Sequence, residues 1–411
     1  MSRYLPIICL ALMHALVDGV AMLIEPLWPE LRRSLELSER ELFLLFAVTA
    51  VAPNFSQILF GFVQDRYGSR YLVWLGPAVA AICLTAIGLP ASAAGLGLLL
   101  AVGYTAIGSF HPEGAVFAGE LLPQQRTRAI ALFMFGGTMG LGLGPMLSGN
   151  FVEAFGVRAL VWLALPALVA VAAIQHAARR AVAESVMPAR AALGHAAEPL
   201  AARIKLAALL LLVCSLRVVP NTGMTRALAF TLEQRGLGTD VIGNVQSLFL
   251  ICGSLGILLV GSRFGHGFER RLIVWSSLAS IPLLGLLAIP ACPTWLLAML
   301  LVPTGLVLVG TTPAMVSYAH QLFPRDAGMA SALTMGLSWG TSGLIVAGMT
   351  PVIVDQLRQP ALLFAAFVPC LAAAALGARA LPNLTEDSRQ LSVDSGEWTE
   401  MTNDEIRMTN E

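Results

Sequence analysis

The chain alternates between long apolar runs and short polar connections. Each run is close to the roughly 20 residues that an α-helix needs to cross the hydrocarbon core of a bilayer. Twelve such runs can be marked, at 5–28, 41–63, 71–91, 95–119, 128–151, 157–178, 204–229, 241–261, 271–290, 295–319, 328–351 and 360–380. The pattern predicts an all-α membrane protein with twelve transmembrane helices.

One connection is much longer than the others and divides these helices six and six. It spans 179–203 and is rich in Ala and Arg. We therefore expect an N-terminal six-helix half at 1–178, a linker at 179–203 and a C-terminal six-helix half at 204–380. The remaining residues, 381–411, are polar and acidic, which is typical of a disordered tail.

The two halves resemble one another. The stretch HPEGAVFAGELLP at 111–123 aligns with TPAMVSYAHQLFP at 312–324, at a constant offset of 201 residues. Upstream, LELSERELFLLF at 35–46 resembles GLGTDVIGNVQSLF at 236–249, at an offset near 200. Parallel repeats of this kind are related by an axis along the membrane normal. The sequence therefore predicts two pseudo-symmetric bundles around a cavity that can open to either side.

The composition excludes several classes of function. Hydrophobic residues make up 57% of the chain and charged residues only 12%, with a mean hydropathy of +0.76. Soluble domains carry about 25% charged residues, so a soluble enzyme is excluded. A net charge of +0 without a basic block argues against nucleic-acid binding. The six cysteines are scattered singly, and neither an ATP-binding loop nor a catalytic constellation is present. We expect no enzyme activity, no cofactor and no metal.

The positive charges predict the orientation in the membrane. Most Lys and Arg residues fall in the connections on the side of the two termini. Positive residues favour the cytoplasmic side, so we expect both termini, the linker and the tail to be cytoplasmic.

Several ionisable residues lie inside the predicted helices, where a charge costs roughly 2.5–3.5 kcal/mol and therefore needs an interior or aqueous setting. His14 and Asp18 lie on one face of the first helix, because they are four residues apart. The fourth helix contains His111 and Glu113, and the seventh contains Arg217. We expect these five residues to line the cavity, with Asp18 and Glu113 as the leading proton carriers.

Asp18 and Arg217 fall at matching depths in repeat-related helices. They could form a charge pair, or Arg217 could tune the proton affinity of Asp18. A permanent structural ion pair is the alternative. Glu25 and Arg226 lie nearer the external face, and for them we favour a structural role.

A charged motif follows the second helix. The segment GFVQDRYGSRYL at 61–72 resembles the G-x-x-x-D-R-x-G-R signature of the major facilitator superfamily. Gly61 allows close helix contact and Gly68 permits a tight turn. Asp65 can accept hydrogen bonds at a neighbouring helix N-terminus, while Arg66 and Arg70 can pair with acids. The motif predicts a gating latch on the cytoplasmic side; the alternative is a set of arginines that fixes topology only.

The fifth helix contains GGTMGLGLGPMLSGN at 136–150. Its small residues and proline resemble the antiporter signature of drug exporters in the same superfamily; they are Gly136, Gly140, Gly144, Pro145 and Gly149. Glycines four residues apart form a flat face on which another helix can pack closely and move, and proline can kink the helix. The motif favours export, although glycine spacing alone also occurs in tightly packed bundles of other function.

Three short motifs narrow the resemblance. H-x-x-x-D in the first helix followed by PLWPEL at 26–31, FHPEG at 110–114, and an arginine early in the seventh helix resemble the fosmidomycin resistance protein family. The resemblance implies proton-coupled efflux of a toxic small molecule or drug through the bacterial inner membrane. It also implies the partners: a small-molecule substrate, protons and the lipid bilayer. We expect the protein to be a monomer.

Two other functions remain open from the sequence. One is a proton-coupled uptake symporter for an anionic metabolite, with Arg217 as the counter-charge. The other is a membrane sensor that does not transport, although the retained buried acids and the short tail argue against it.

Overall fold

The computed structural model of the chain describes residues 4–67, 71–121, 126–182, 200–263, 268–323 and 327–384. In these residues the secondary structure is helical and no strand occurs. The α-helices are α1 Leu5–Ala21, α2 Trp28–Ser34, α3 Glu39–Tyr67, α4 Leu72–Thr85, α5 Ala93–Leu121, α6 Arg126–Phe155, α7 Ala164–Val182, α8 Leu200–Gln234, α9 Thr239–Arg263, α10 Glu269–Leu287, α11 Thr294–Leu308, α12 Thr312–Leu322, α13 Ala327–Ser331, α14 Ser338–Pro351 and α15 Leu362–Arg379.

The prediction of twelve membrane-crossing helices is confirmed, with differences at the ends. Eleven helical segments of the described chain are long and apolar enough to cross a membrane, and a twelfth, Leu72–Gly88, is shorter. The first segment runs over Leu5–Ser34 rather than 5–28, because the chain breaks after α1 and resumes as α2. The apolar run ends where the polar residues begin, whereas α2 continues through Glu30 and Arg33.

Two long antiparallel helix pairs join the halves. In the first pair, α6 and α9, the Ser254 hydroxyl donates to the Thr138 carbonyl at 3.0 Å, and the Met146 amide donates to Ser247 Oγ at 2.9 Å. In the second pair, α3 and α14, a side chain at Gly343 would meet Ala50. Because α9 repeats α3 and α14 repeats α6, the two pairs are equivalent under the pseudo-symmetry.

Residues 200 positions apart meet at one end of the bundle. Arg33 Nη1 donates to Glu233 Oε1 at 3.1 Å, and Thr225 Oγ1 donates to Glu25 Oε2 at 2.7 Å. Equivalent positions of two repeats can touch only close to the axis that relates them. The halves are therefore in contact on the pseudo-symmetry axis at this end. We call it the distal end, because it is the end of the first span that lies away from the N-terminus.

The fourth and tenth spans differ although they are repeats. The fourth is one continuous helix, α5, with Pro112 inside it. The tenth is interrupted at Val309–Thr311, between α11 and α12, and α12 begins with Thr312 and Pro313. The interruption leaves the last carbonyls of α11 without helical partners, and a nearby side chain must satisfy them.

Candidate functional site

Three of the predicted residues form one buried cluster, which we call the triad: His14, Asp18 and His111. His14 Nε2 lies 3.2 Å from Asp18 Oδ2, and His111 Nε2 lies 3.1 Å from Asp18 Oδ1. Asp18 is only 7% exposed. The carboxylate is thus held between two imidazoles, each facing a different oxygen.

The triad is assembled from three helices of the N-terminal half. α1 supplies His14 and Asp18 one helical turn apart, and α5 supplies His111. α6 leaves room for the contact between His14 and Asp18 through Gly137, where a methyl group would lie 2.5 Å from His14 Nε2 and 2.6 Å from Asp18 Oδ2. A side chain at position 137 would therefore displace His14 or Asp18.

Aromatic rings and backbone carbonyls fix the two imidazoles. The ring of Phe133 stacks on His14 with centroids 4.0 Å apart, and Phe110 lies 5.6 Å from it. His14 Nδ1 lies 2.8 Å from the Phe133 carbonyl oxygen, and His111 Nδ1 lies 2.9 Å from that of Ile107. Both rings are thereby oriented with Nε2 towards Asp18.

Glu113 is buried on α5, two residues beyond His111. Two residues correspond to about 200° around a helix, so Glu113 projects from the other side of α5. Its predicted role as a second proton carrier stays a prediction that the triad geometry does not require.

Asp18 and Arg217, for which the sequence left a direct charge pair open, do not pair in this structure. Arg217 Nη2 donates to Thr311 Oγ1 at 2.7 Å, to Ser276 Oγ at 3.0 Å and to the Leu308 carbonyl at 3.1 Å. Asp18 contacts the two histidines instead. Equal depth along two helices did not reveal that Arg217 points into its own half, away from Asp18.

The contacts of Arg217 explain why it is buried, with 1% of its surface exposed. Its guanidinium caps the carbonyls at the C-terminal end of α11, where the tenth span is interrupted. A cation is favoured at this end of a helix dipole. Asn221, one turn further along α8, also donates to the Leu308 carbonyl, at 3.3 Å.

A second buried polar cluster lies between the halves at the distal end, and two of its members, Glu25 and Arg226, were expected from the sequence to have a structural role near the external face. We call it the distal interface: Glu25, Thr49, Thr225, Arg226 and Gln246. Arg226 Nη2 donates to Thr49 at 2.8 Å and lies 3.9 Å from Glu25 Oε1. Gln246 Nε2 donates to the Thr225 carbonyl at 2.7 Å. In the sequence, this contact is indicated only by the positions of Glu25 and Arg226, which lie inside apolar runs 201 positions apart.

The glycine motif of α6 packs mainly within its own half. Side chains at Gly136, Gly140 and Gly144 would overlap backbone carbonyls of Ala11, Ala15 and Gly19 of α1, respectively. At Gly149 the overlap would be with Thr239 of α9, in the other half, and the Pro145 carbonyl approaches Gly243 of the same helix. α6 therefore contacts both the helix that carries the triad and the opposite half.

The latch motif is only partly within the described residues. Gly61, Asp65 and Arg66 belong to the last turns of α3. Gly68 and Arg70 lie outside the described residues. The latch stays a prediction.

The triad is also the one group of three potential metal ligands found among the described residues. Its ligand atoms lie within 4.8 Å of one another, a spacing that an ion could bridge. The expected absence of a metal is therefore untested.

With this geometry in view, comparison with known proteins decides the family. A sequence profile of the Major Facilitator Superfamily matches residues 10–216. The chain belongs to the Major Facilitator Superfamily. It is thus an integral membrane transporter and not an enzyme.

Individual relatives agree with this assignment. The chain is 25% identical over 341 residues to the Fosmidomycin resistance protein of Escherichia coli K12, covering 82% of this chain and 83% of the relative. It is 26% identical over 396 residues to the uncharacterized MFS-type transporter YfnC of Bacillus subtilis 168, covering 89% and 90%. Among solved structures, the nucleoside transporter NupG matches with a TM-score of 0.69 at 13% identity, covering 93% of this chain and 100% of that chain. The last similarity shows the fold alone.

Proposed function

We propose that this superfamily member exports a small organic molecule in exchange for protons, by alternating access. The observation that carries the proposal is the triad, a buried carboxylate between two histidines 3.1 and 3.2 Å away. Intramembrane ionisable groups are costly and mark ion or substrate pathways. Carboxylate and imidazole both gain and lose protons within the physiological range when their surroundings change.

The contacts between the halves support alternating access. The distal end is held by hydrogen bonds and ion pairs across the halves, among them the exposed pair of Arg33 with Glu233. Exposed pairs of this kind contribute only about 0–1 kcal/mol each. They can therefore break when the halves tilt, and water can replace them.

Two observations support export. The glycine face of α6 resembles the antiporter motif and packs on α1, the helix that carries His14 and Asp18. The relative from Escherichia coli is named for resistance to fosmidomycin, which fits efflux of a toxic compound. We place the protein in the bacterial inner membrane as a monomer, with both termini cytoplasmic.

The uptake alternative depended on Arg217 as a counter-charge for an anionic metabolite. In the structure the Arg217 guanidinium is turned to α11 and to the hydroxyls of Ser276 and Thr311. These contacts give Arg217 a role in holding the interrupted tenth span, so its presence no longer favours uptake.

Transport into inside-out membrane vesicles tests the proposal. With an acidic lumen, we expect vesicles containing the protein to accumulate a labelled compound from a panel that includes fosmidomycin, and a protonophore should abolish the accumulation. Vesicles without the protein are the control. Accumulation only with an alkaline lumen would indicate proton symport and contradict export.

A further inference from the structure

The hydrogen positions of the two triad imidazoles follow from their neighbours. Nδ1 of His14 faces the carbonyl oxygen of Phe133, and Nδ1 of His111 faces that of Ile107, at 2.8 and 2.9 Å. A carbonyl oxygen only accepts hydrogen bonds, so each Nδ1 carries a hydrogen. In a neutral imidazole with this tautomer, Nε2 has a bare lone pair.

Both Nε2 atoms face the carboxylate of Asp18. The contacts are 3.2 Å from His14 to Oδ2 and 3.1 Å from His111 to Oδ1. A carboxylate oxygen also presents a lone pair, so each contact needs a proton, carried either by the nitrogen or by the oxygen. Because the two contacts use different oxygens, one proton cannot serve both.

The net charge of the triad follows from the number of shared protons. Two shared protons give a charge of plus one, one gives zero, and none gives minus one. Interacting groups of this kind release their protons in two macroscopic steps that belong to the cluster. When one proton leaves, one Nε2–carboxylate contact becomes repulsive, and the corresponding histidine must turn away or be hydrated.

Other ionisable groups stand on the helices packed around the triad. Glu113 follows His111 on α5, and Tyr104 of the same helix donates to the Ala21 carbonyl. Glu153, at the distal end of α6, accepts from Thr239. The remainder are the thiols of Cys9 and Cys83, the exposed His176, and charged residues in the end turns of α5, α6 and α7, namely Glu120, Arg126, Arg128, Arg179 and Arg180.

We propose that the triad is a two-proton site, with one proton shared between His14 and Asp18 and the other between His111 and Asp18. Both protons are exchanged for one substrate molecule. The proposal rests on the proposed function for its second part, the stoichiometry. Its first part, the number of protons that the triad holds (its occupancy), does not depend on the proposed function.

Occupancy is measured without a substrate. The purified full chain, labelled with ¹⁵N-histidine and reconstituted in liposomes, is titrated by solid-state NMR with a chelator present. In the wild type we expect two steps in the signals of His14 and His111, and both steps should be displaced in Asp18→Asn, because the carboxylate that shares the two protons is gone. His14→Gln and His111→Gln should each remove one step and leave the other histidine titrating. A single step in the wild type overturns the proposal, as does a spectrum that changes when the chelator is left out, which would indicate a bound metal.

Stoichiometry is measured by the gradient that transport can sustain. At zero membrane potential and a difference of one pH unit, two protons per substrate support a concentration ratio of about 100, and one proton supports about ten, since each tenfold corresponds to about 1.4 kcal/mol. The probe is a compound from the vesicle panel. A ratio near ten overturns the two-proton proposal but leaves proton-coupled export intact, whereas no pH-driven accumulation contradicts export itself.

Discussion

The two halves place buried charges on repeat-related helices but surround them differently. In the N-terminal half, Asp18 lies between two histidines that can themselves change charge. In the C-terminal half, Arg217 lies among hydroxyl and carbonyl oxygens that cannot. The first arrangement is suited to gaining and losing protons, and the second to keeping one fixed charge. Pseudo-symmetry of the backbone therefore does not extend to the chemistry.

The difference originates in the fourth and tenth spans. α5 is continuous, so the side chain of His111 is available for Asp18. The repeat-related span is interrupted before Thr312. The carbonyl of Leu308, which lacks a helical partner there, accepts hydrogen bonds from Arg217 and Asn221. A break in one helix thus turns a neighbouring cation into a structural cap.

The largest expected effect concerns the C-terminal half, where Arg217 keeps a fixed charge. Arg217→Met should strongly destabilise the protein, because it leaves several buried oxygens unsatisfied at about 1–3 kcal/mol each. Thermal unfolding in detergent, followed by size-exclusion chromatography, measures this effect. Arg217→Lys keeps the charge and should lose less. If Arg217→Met is as stable as the wild type, capping of α11 is not the role of Arg217.

The next effect concerns the packing of α6 on the helix that carries the triad. Gly144→Val should abolish export, because its side chain would collide with the Gly19 carbonyl and approach Met22. Gly348→Val is the matched control, since Gly348 has no atom within 4 Å of an added Cβ. Efflux in inside-out vesicles is the measurement, and full efflux by Gly144→Val would contradict the antiporter interpretation of the motif.

A smaller change perturbs the triad alone. Gly137→Ala places a methyl group against His14 and Asp18, so it should weaken pH-driven transport by roughly tenfold, the equivalent of about 1.4 kcal/mol, without the stability loss of Arg217→Met. Gly348→Ala is again the control. The pH profile of transport checks this, and an unchanged profile would show that the His14–Asp18 contact does not matter for coupling.

The smallest expected effect lies in the predicted latch. Asp65→Asn should slow transport while insertion and the proton stoichiometry stay as in the wild type, because the change is at the end of α3 rather than in the triad. Transport rates and membrane yield are compared with the wild type. Equal rates in a correctly inserted protein would remove the latch from the mechanism.

The sequence predicted the twelve spans well because hydropathy reports directly on the bilayer. It also predicted His14 and Asp18 as neighbours, since residues four apart share a helical face. It placed His111 in the same cavity but did not predict its direct contact with Asp18, because a contact between α1 and α5 depends on how each helix is rotated about its axis. For the same reason the sequence left open a direct pair of Asp18 with Arg217, which the structure does not contain.

The distal interface was missed for a different reason. Glu25 and Arg226 lie near the ends of their apolar runs, where polar residues are common in any membrane protein. Only the fold shows that these ends meet on the pseudo-symmetry axis, so that Arg226 reaches Thr49 of the other half.

The central claim is that Asp18 carries the coupling proton, and pH-gradient-driven transport by Asp18→Asn tests it most directly. The asparagine keeps the shape of the side chain but cannot hold the exchangeable proton of a carboxyl group. We predict loss of pH-driven transport with substrate binding and thermal stability retained; Glu113→Gln is measured alongside as the second acid. Wild-type rates in Asp18→Asn would contradict the account, and loss of pH-driven transport in Glu113→Gln alone would assign the coupling proton to Glu113 instead.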